Sequence, residues 1–460
     1  MAGIEPMKTI SAERALTAEG WVGPVSIGIG ADGRIETISE GRETGGREAG
    51  ILLPAPMNLH SHAFQRAMAG LTESRGPDPR DSFWTWRKLM YRFLDHLTPD
   101  DLEAITAFAQ MQMLEAGYAG VAEFHYLHHQ PDGAPYDDIA ELSSRIAAAA
   151  ADTGIGLTLL PVLYQHGGCD GRALQGGQRR FGNDVKSFAA LFEGAATAIT
   201  RLPGDARLGV AAHSLRAVSP EGLSTCLALV SGGPIHIHIA EQIAEVDEVK
   251  AAWGKRPVEW LLANHDVDER WCLVHATQME PFETEAVAKS GAVVGLCPIT
   301  ESNLGDGIFD GVRYLQNKGR FGVGADSNIR ISLSEELRTL EYSQRLRDRE
   351  RAVLATQKAS TGRVLLDGAA SGGAQAAGRG AGVIGIGNFA DFFSLDPGAI
   401  DLAGRQGDAI LDSYIFASDD SIITDVWSAG RHMVKESRHI KRDAITARYR
   451  KTVQALQAKN

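Results

Sequence analysis

The chain has 460 residues, a length suited to one large domain that carries a smaller one. Hydrophobic residues make up 44% and charged residues 23%, which is typical of a soluble globular protein with ample material for a core. A formal net charge of −12 argues against nucleic acid or an anionic membrane as the main partner.

The sequence gives no sign of secretion or membrane insertion. The N-terminus lacks the apolar core of a secretory signal, and no apolar run approaches the roughly 20 residues that cross a bilayer. Four cysteines lie far apart without CxxC spacing, which predicts reduced thiols and neither disulfides nor a thiolate zinc site: Cys169, Cys226, Cys272 and Cys297. We therefore expect a cytoplasmic protein.

The first fifty residues are predicted to form short β-strands. Alternating runs at 25–29 and 34–38 flank a turn at Asp32-Gly33, which is a hairpin signal. From Ile51 onward the pattern changes to short apolar runs separated by helical segments. Predicted helices include 100–116 after Thr98-Pro99, 137–151 before a glycine, and one opened by Ser219-Pro220.

Eight apolar runs are predicted strands of a parallel sheet, because continuous apolar strands alternating with helices need cover on both faces. They are residues 51–59, 120–126, 157–164, 208–213, 234–240, 271–276, 292–299 and 320–326. Eight strand–helix repeats predict an α/β fold, a closed (β/α)8 TIM barrel.

The chain after the barrel is predicted to return to β-structure. The glycine- and alanine-rich stretch 368–387 has the composition of a disordered linker, but we favour a loop or short helix. Strands are predicted at 390–395, 410–416 and 422–427, with a final hairpin around Gly430. With the N-terminal hairpin they would form a small β-sandwich, so the predicted domains are 1–50, 51–387 and 388–460, the last including a terminal helix.

Several histidines and one aspartate stand at predicted strand ends. His60 and His62 follow the first barrel strand, and the period of a strand directs both imidazoles to one side. That pair alone is as compatible with a structural role as with metal binding. His238, His275 and Asp326 end the fifth, sixth and eighth strands, at the barrel mouth where catalytic groups gather. Imidazole nitrogens with a carboxylate oxygen predict a zinc or similar divalent site.

Glu241 stands three residues after His238, on the loop that leaves the fifth strand. A carboxylate there could lie beside a water on the metal without binding the metal itself, as a proton shuttle requires. The alternative is a glutamate that opens the next helix and is stabilised by its dipole. Because Glu241 stands close to the predicted metal ligands, we favour the catalytic interpretation.

At these residues the chain resembles the amidohydrolase superfamily. The resemblance is carried by Asn58-Leu59-His60-Ser61-His62, the HxxE motif, His275, Gly324-Ala325-Asp326-Ser327 and the closing segment 426–431. Binuclear members of that superfamily carry a carboxylated lysine on a middle strand. Neither 157–164 nor 208–216 contains a lysine, so the resemblance implies the mononuclear deaminase branch.

Within that branch, four segments resemble the formimidoylglutamate deiminase family of histidine degradation. They are 58–70 (NLHSHAFQRAMAG), 81–92 (DSFWTWRKLMYR), 213–216 (HSLR) and 297–309 (CPITESNLGDGIF). The family implies hydrolysis of N-formimino-L-glutamate to N-formyl-L-glutamate and ammonia. It also implies substrate contacts from Gln65, Arg87, Tyr126, His213 and Arg216.

Arginine suits a dicarboxylate substrate because its planar fork binds carboxylates in a bidentate manner. For Arg87 or Arg216 alone, a surface salt bridge is an equally good interpretation.

The loop at 81–92 is a candidate lid over the site. By analogy with similar barrels, the chain is expected to form a homodimer.

The resulting hypothesis is a single Zn²⁺ with an open position for water, held by His60, His62, His238 and Asp326. The same ligands accept Fe²⁺, Mn²⁺ or Ni²⁺. Asp326 would take the proton of the attacking water, Glu241 would carry protons to the leaving nitrogen, and His275 would stabilise the attacking oxygen.

Two alternatives remain open. One is a deaminase of the same branch that acts on a nucleobase, nucleoside or pterin, which would require an aromatic-walled pocket. The other is a catalytically inactive barrel used for binding, although such a protein could lose metal ligands that this chain retains.

Overall fold

The computed structural model describes residues 8–43, 46–73 and 90–459. Its strands form two sheets, one small and largely antiparallel, the other parallel and closed into a barrel. The small sheet contains β1 Lys8–Thr17, β2 Gly20–Val22, β3 Val25–Ile29, β4 Ile35–Glu40 and β5 Arg47–Pro54. The barrel contains β6 Met57–Ser61, β7 Gly120–His125, β8 Gly156–Leu163, β9 Arg207–Leu208, β10 Val210–Ala212, β11 Ile235–Ile239, β12 Trp271–His275, β13 Val293–Leu296 and β14 Arg320–Val323. The last strands return to the small sheet: β15 Phe392–Leu395, β16 Ile423–Ser428, β17 Arg431–Lys435 and β18 Arg438–His439.

The parallel strands follow one another around a closed cylinder. Each pairs with its neighbour in the order β6, β7, β8, β10, β11, β12, β13 and β14, while β9 adds to β8. The first and last strands are joined at the mouth, where Asp326 N–H donates to the His60 carbonyl and His62 N–H to the Asp326 carbonyl, both at 2.9 Å. The predicted (β/α)8 barrel is confirmed.

The α-helices whose full extent is described are α1 Pro99–Glu115, α2 Glu141–Thr153, α3 Val185–Ile199, α4 Pro220–Ala228, α5 Ile243–Trp253, α6 Pro257–Asn264, α7 Pro281–Ser290, α8 Pro298–Leu304, α9 Gly311–Gln316, α10 Leu333–Asp348, α11 Thr361–Ala376, α12 Ala409–Phe416 and α13 Arg442–Gln457. Their ends follow the expected local chemistry. Thr98 and Asp101 form a capping box at the start of α1, with Pro99 in the first turn. Gly154 ends α2 in the left-handed conformation.

Both chain ends build one small β-domain, as predicted. Its sheet has the strand order β18, β17, β16, β15, β5, β1, β3, β4, and β2 also pairs with β1. The predicted hairpins are present as the antiparallel pairs β3–β4 and β16–β17. A buried ion-pair network connects this domain to the barrel, since Arg379 lies 2.6 Å from Asp391 and 2.8 Å from Asp205.

The predicted first barrel strand, 51–59, is wrong as a single element. It consists of the end of β5 and most of β6, separated by Ala55 and Pro56. Proline cannot donate to a ladder, and the chain passes here from the small sheet to the barrel. Strand β5 therefore crosses the domain boundary predicted between residues 50 and 51. The predicted domains 1–50, 51–387 and 388–460 otherwise stay a prediction.

Two further expectations concern the segment after the barrel. The predicted strand 410–416 is wrong, because this apolar run forms helix α12, which buries Ile410, Leu411 and Tyr414. A short buried run has no periodicity that separates strand from helix. The glycine- and alanine-rich stretch, in turn, is partly helical, since α11 continues to Ala376 and lies against β14. Among the described residues, no helix is both long and apolar enough to span a bilayer.

Candidate functional site

Four potential metal ligands meet at the carboxyl ends of the barrel strands. His60 lies in β6 with His62 just beyond it, His238 lies in β11, and Asp326 follows β14. One donor atom from each lies within 4.8 Å of every other, and all four residues are buried. We call His60, His62, His238 and Asp326 the quartet. The chain brings them together because parallel strands of a closed barrel end on the same rim.

The distances among these donors match a single ion. Nε2 of His60 lies 3.2 Å from Nε2 of His62 and 3.0 Å from Nε2 of His238. Oδ1 of Asp326 lies 3.3 Å from Nε2 of His60 and 3.2 Å from Nε2 of His62. Ligands that each stand about 2.0–2.1 Å from a tetrahedral zinc are separated by about 3.3 Å, so the spacing fits.

The hydrogen bonds of two imidazole rings suit this cluster to a cation. Nδ1 of His62 lies 3.0 Å from the Phe124 carbonyl, and Nδ1 of His238 lies 3.0 Å from the His213 carbonyl. A carbonyl only accepts, so each Nδ1 carries a proton and the Nε2 of each ring faces the other donor atoms. Lone pairs and a carboxylate oxygen that face one another are stabilised by a divalent cation. The residues therefore fit the metal that the sequence implied.

Burial and neighbouring charges set the protonation of the quartet. Burial would raise the pKa of Asp326, but the contacts of its carboxylate with the His60 and His62 imidazoles hold it well below its usual range. Burial lowers the pKa of His60 to about 3, against the opposing hydrogen bond to Asp326. The result is an ionised carboxylate beside a neutral imidazole, which is the state that binds a metal.

Glu241 and His275 lie beside the quartet. Oε1 of Glu241 lies 3.8 Å from Nε2 of His275, and both side chains are buried. Burial raises the pKa of Glu241, while the charge of His275 opposes that shift. Burial would lower the pKa of His275, but the charge of Glu241 and a hydrogen bond to Glu301 raise it well above its usual value. The pair can therefore hold and move a proton next to the candidate metal.

A second group of potential ligands is explained by hydrogen bonds. His275, Cys297 and Glu301 also offer donor atoms within 4.8 Å of one another. However, Oε1 of Glu301 already accepts the backbone N–H of Cys297 at 2.8 Å and lies 3.2 Å from Nδ1 of His275. Glu301 thus holds the imidazole in place, and the arrangement requires no second ion.

The backbone is strained where the chain leaves three of these strands. Ala240, His275 and Asp326 have φ values of 51°, 68° and 45°. Residues with a Cβ seldom adopt this left-handed region, and they do so mainly where surrounding contacts hold them. The strained positions therefore coincide with the candidate site, since Glu241 follows Ala240 directly and the other two are His275 and Asp326 themselves.

A cleft opens over His62, His238 and Asp326, and most of the predicted substrate residues line it. Gln65, Tyr126, His213 and Arg216 all lie along its wall, together with Glu241 and His275. Gln65 donates to the Tyr126 hydroxyl at 2.8 Å. Arg87 and most of the predicted lid 81–92 lie outside the described residues.

Sequence analysis did not single out several residues that the structure places here. Glu245 accepts backbone N–H groups from Ala240 and Glu241, and Glu301 contacts His275. Burial, followed by the charge of Glu241, raises the pKa of Asp306 to about 9. Glu301 and Asp306 fall within the segment 297–309, which the resemblance had marked. Glu245 had no such signal, because a glutamate in the first turn of a helix usually faces solvent.

These features define a metal-dependent hydrolase barrel with a buried His₃Asp site for a divalent ion. A family model described as "Amidohydrolase family" matches residues 51–433, and the chain belongs to this family. A second model, described as "Formimidoylglutamate deiminase HutF, N-terminal domain", matches residues 7–49. The resemblance stated from the sequence is confirmed.

Known proteins are similar along nearly the whole chain. The protein named "Formimidoylglutamate deiminase" of Pseudomonas aeruginosa is 50% identical over 440 residues, which cover 94% of this chain and 96% of the relative. The crystal structure of an amidohydrolase from Brucella melitensis has a TM-score of 0.94 at 47% identity and covers 98% of this chain and 100% of that one. An adenosine deaminase from Xanthomonas campestris with bound zinc has a TM-score of 0.81 at 19% identity, covers 98% of this chain and 100% of that one, and shares the fold.

Proposed function

We propose that this chain hydrolyses N-formimino-L-glutamate to N-formyl-L-glutamate and ammonia. The relative from Pseudomonas aeruginosa that carries the name of this activity supports the proposal, because the similarity extends over 94% of the chain. The match of residues 7–49 to the N-terminal domain of the same enzyme supports it independently of the barrel.

The structural observation that carries the proposal is the position of Arg216. Its side chain lines the cleft, the residue is 8% exposed, and its Nε is buried without a hydrogen-bond partner among the described residues. Within that part of the chain, no carboxylate lies at ion-pair distance from it. The charges of Glu241 and Glu245 act on the guanidinium without forming an ion pair with it. A substrate carboxylate would supply that pairing, and it would satisfy the buried Nε.

We propose that His60, His62, His238 and Asp326 hold one Zn²⁺. A divalent ion at this position supplies Lewis acidity and lowers the pKa of water toward roughly 7. Fe²⁺, Mn²⁺ and Ni²⁺ share the same ligand preferences, so elemental analysis of the purified protein decides the metal.

The side chains around the quartet divide the proton transfers of the reaction. Water adds to the formimino carbon, and the bond from that carbon to the terminal nitrogen breaks. As water adds, the Asp326 carboxylate accepts its first proton and Glu241 delivers a proton to the imino nitrogen, which becomes an amine. When the carbon–nitrogen bond breaks, the hydroxyl of the adduct gives up the second proton and the amine takes up a second one through Glu241. Both protons of the water have then reached the nitrogen, which leaves as ammonia. His275, held by Glu301, donates a hydrogen bond to the oxygen that gains negative charge.

The other cleft residues would orient the glutamate portion of the substrate. Arg216 binds a carboxylate, with Gln65, Tyr126 and His213 on the same wall. Arg87 is proposed as the partner of the second carboxylate on the basis of the resemblance alone.

A second candidate is deamination of a planar heterocycle. Tyr91, Tyr126 and Phe181 line the cleft, and such rings stack on flat aromatic substrates. Proteins named 5-methylthioadenosine/S-adenosylhomocysteine deaminase are also similar, for example at 28% identity over 71% of this chain in Archaeoglobus fulgidus. Arg216, whose buried Nε has no hydrogen-bond partner among the described residues, favours the dicarboxylate over a neutral ring.

Ammonia release from purified, zinc-loaded protein tests both candidates. N-formimino-L-glutamate, 5-methylthioadenosine, guanine and a pterin are supplied in parallel, and we expect turnover of the first only. Glu241→Gln should lose most of the activity and still bind one equivalent of metal. An inactive wild type that contains stoichiometric metal would overturn the proposal, and so would a fully active Glu241→Gln.

A further inference from the structure

We infer that Glu245 is a positioning residue, which holds the proton-transfer residue Glu241 in place through the backbone. The carboxylate of Glu245 forms two hydrogen bonds to adjacent peptide groups. Its Oε1 accepts the N–H of Ala240 at 3.0 Å, and its Oε2 accepts the N–H of Glu241 at 3.1 Å. Glu245 is 1% exposed, so these bonds lie in the protein interior.

The turn at residues 240 and 241 is also held through its two carbonyl groups. The hydroxyl of Thr277 donates to the Glu241 carbonyl at 2.7 Å, and the N–H of Gln278 donates to the Ala240 carbonyl at 2.8 Å. Both Thr277 and Gln278 follow strand β12. The turn that carries Glu241 is therefore held between helix α5 and the loop after the next strand.

This turn needs external support because its backbone is unfavourable. Ala240 has a φ of 51°, a conformation that a residue with a Cβ adopts only under constraint. If the two N–H bonds were lost, the turn could relax and carry Glu241 away from His275, which now lies 3.8 Å from it. A displacement of about 1 Å at a reacting group can cost about 100-fold in rate.

Only a carboxylate meets both peptide N–H groups in this geometry. Glutamine has the same size but offers one oxygen, and its NH₂ group would face the second N–H, donor against donor. Glu245→Gln therefore removes one hydrogen bond and introduces a repulsion without leaving a cavity. It tests positioning with little change in packing.

The chain contains a matched control in Glu341. This buried glutamate also binds two consecutive peptide groups, accepting the N–H of Val353 at 3.0 Å and of Leu354 at 3.2 Å. Neither these three residues nor helix α10, which carries Glu341, lines the cleft. Glu341→Gln therefore reproduces this local damage away from the reacting atoms, with the added loss of the 2.7 Å ion pair between Glu341 and Arg345.

The kinetic test rests on the proposed function and compares wild type, Glu245→Gln and Glu341→Gln. For Glu245→Gln we expect kcat to fall about 10- to 100-fold with metal content close to wild type, because the metal ligands are untouched. KM reports separately on Arg216, whose charge acts on the Glu245 carboxylate. Glu341→Gln should keep its kcat. In a Glu241→Gln background, Glu245→Gln should cause no further loss, because it acts through Glu241. An equal loss in that background, or a kcat within twofold of the control, would overturn the inference.

Amide hydrogen exchange gives a test that needs no substrate. Exchange at residues 240 and 241 should become at least about 10-fold faster in Glu245→Gln than in Glu341→Gln, because local opening governs protection. Unchanged protection would contradict the inference.

If the wild type has no deiminase activity, the proposed function fails while this measurement still decides the role of Glu245. If Glu245→Gln does not fold, Glu245→Asp replaces it, since its shorter carboxylate cannot reach both N–H groups.

Discussion

Nδ1 of His275 lies 3.2 Å from Oε1 of Glu301, and this oxygen also accepts the backbone N–H of Cys297. The bond orients the imidazole so that its Nε2 faces Glu241. It also supports a charged ring, because the carboxylates of Glu241 and Glu301 raise the pKa of His275 against the effect of burial. Glu301 thus connects the backbone at the end of strand β13 to the imidazole of His275 at the end of strand β12.

Glu301→Gln should lower kcat about 10-fold or more while one metal per chain is retained. The reason is that a charge-assisted bond to His275 is replaced by a neutral one, whereas no ligand of the quartet changes. Kinetics with elemental analysis measure both quantities. Glu283→Gln serves as the control, because this buried carboxylate binds the backbone N–H groups of Glu280 and Glu259 away from the cleft. Loss of metal from Glu301→Gln would instead indicate that Glu301 supports a ligand.

Arg216→Ala should raise KM for N-formimino-L-glutamate about 10- to 150-fold. Removal of a charge-assisted hydrogen bond costs about 1.5–3 kcal/mol, and about 1.4 kcal/mol corresponds to a factor of ten. Arg172→Ala is the control, because Arg172 is exposed and pairs with Asp170 and Glu248. Steady-state kinetics measure the effect. A KM equal to that of wild type would show that Arg216 does not bind the substrate.

His125 should make the protein lose stability in acid. Burial lowers its pKa from about 6.5 to about 3, so the unfolded chain binds a proton that the folded chain refuses. This contribution is fully present above about pH 6.5 and declines as the pH falls toward 3, with about 2 kcal/mol lost by about pH 5. Urea unfolding at about pH 7.5 and pH 5 should show a decline for His125→Asn that is smaller than that of wild type by this amount. Equal declines would mean that His125 titrates normally.

Gly372→Ala should destabilise the protein, although alanine is the better helix former by about 1 kcal/mol. A Cβ at this position would lie 1.8 Å from the carbonyl oxygen of Phe321, in the strand against which helix α11 packs. Overpacking against a backbone atom costs about 1–3 kcal/mol or more, which outweighs the gain in propensity. Denaturant unfolding measures the difference, with Ser371→Ala on the exposed side of the same helix as the reference. A stabilised Gly372→Ala would show that the helix shifts freely on the barrel.

The sequence was informative where local patterns determine the structure. Eight apolar runs alternating with helices predicted the barrel, and capping residues such as Thr98 predicted helix starts. The same patterns were ambiguous for short apolar runs. The run 410–416 forms a helix, and 51–59 divides between two sheets, because neither its length nor its composition shows which neighbours it packs against.

By itself, the sequence determined the candidate ligands and the family, because chemistry at strand ends can be recognised from residue type and spacing. Only the tertiary structure decided which side chains support those groups. Glu245 and Glu301 act through peptide N–H groups and an imidazole that the fold brings to them, and the partner of a buried carboxylate leaves no local pattern in the chain. The position of Arg216 beside the quartet was decided in the same way, by the closure of strands that are far apart in the sequence.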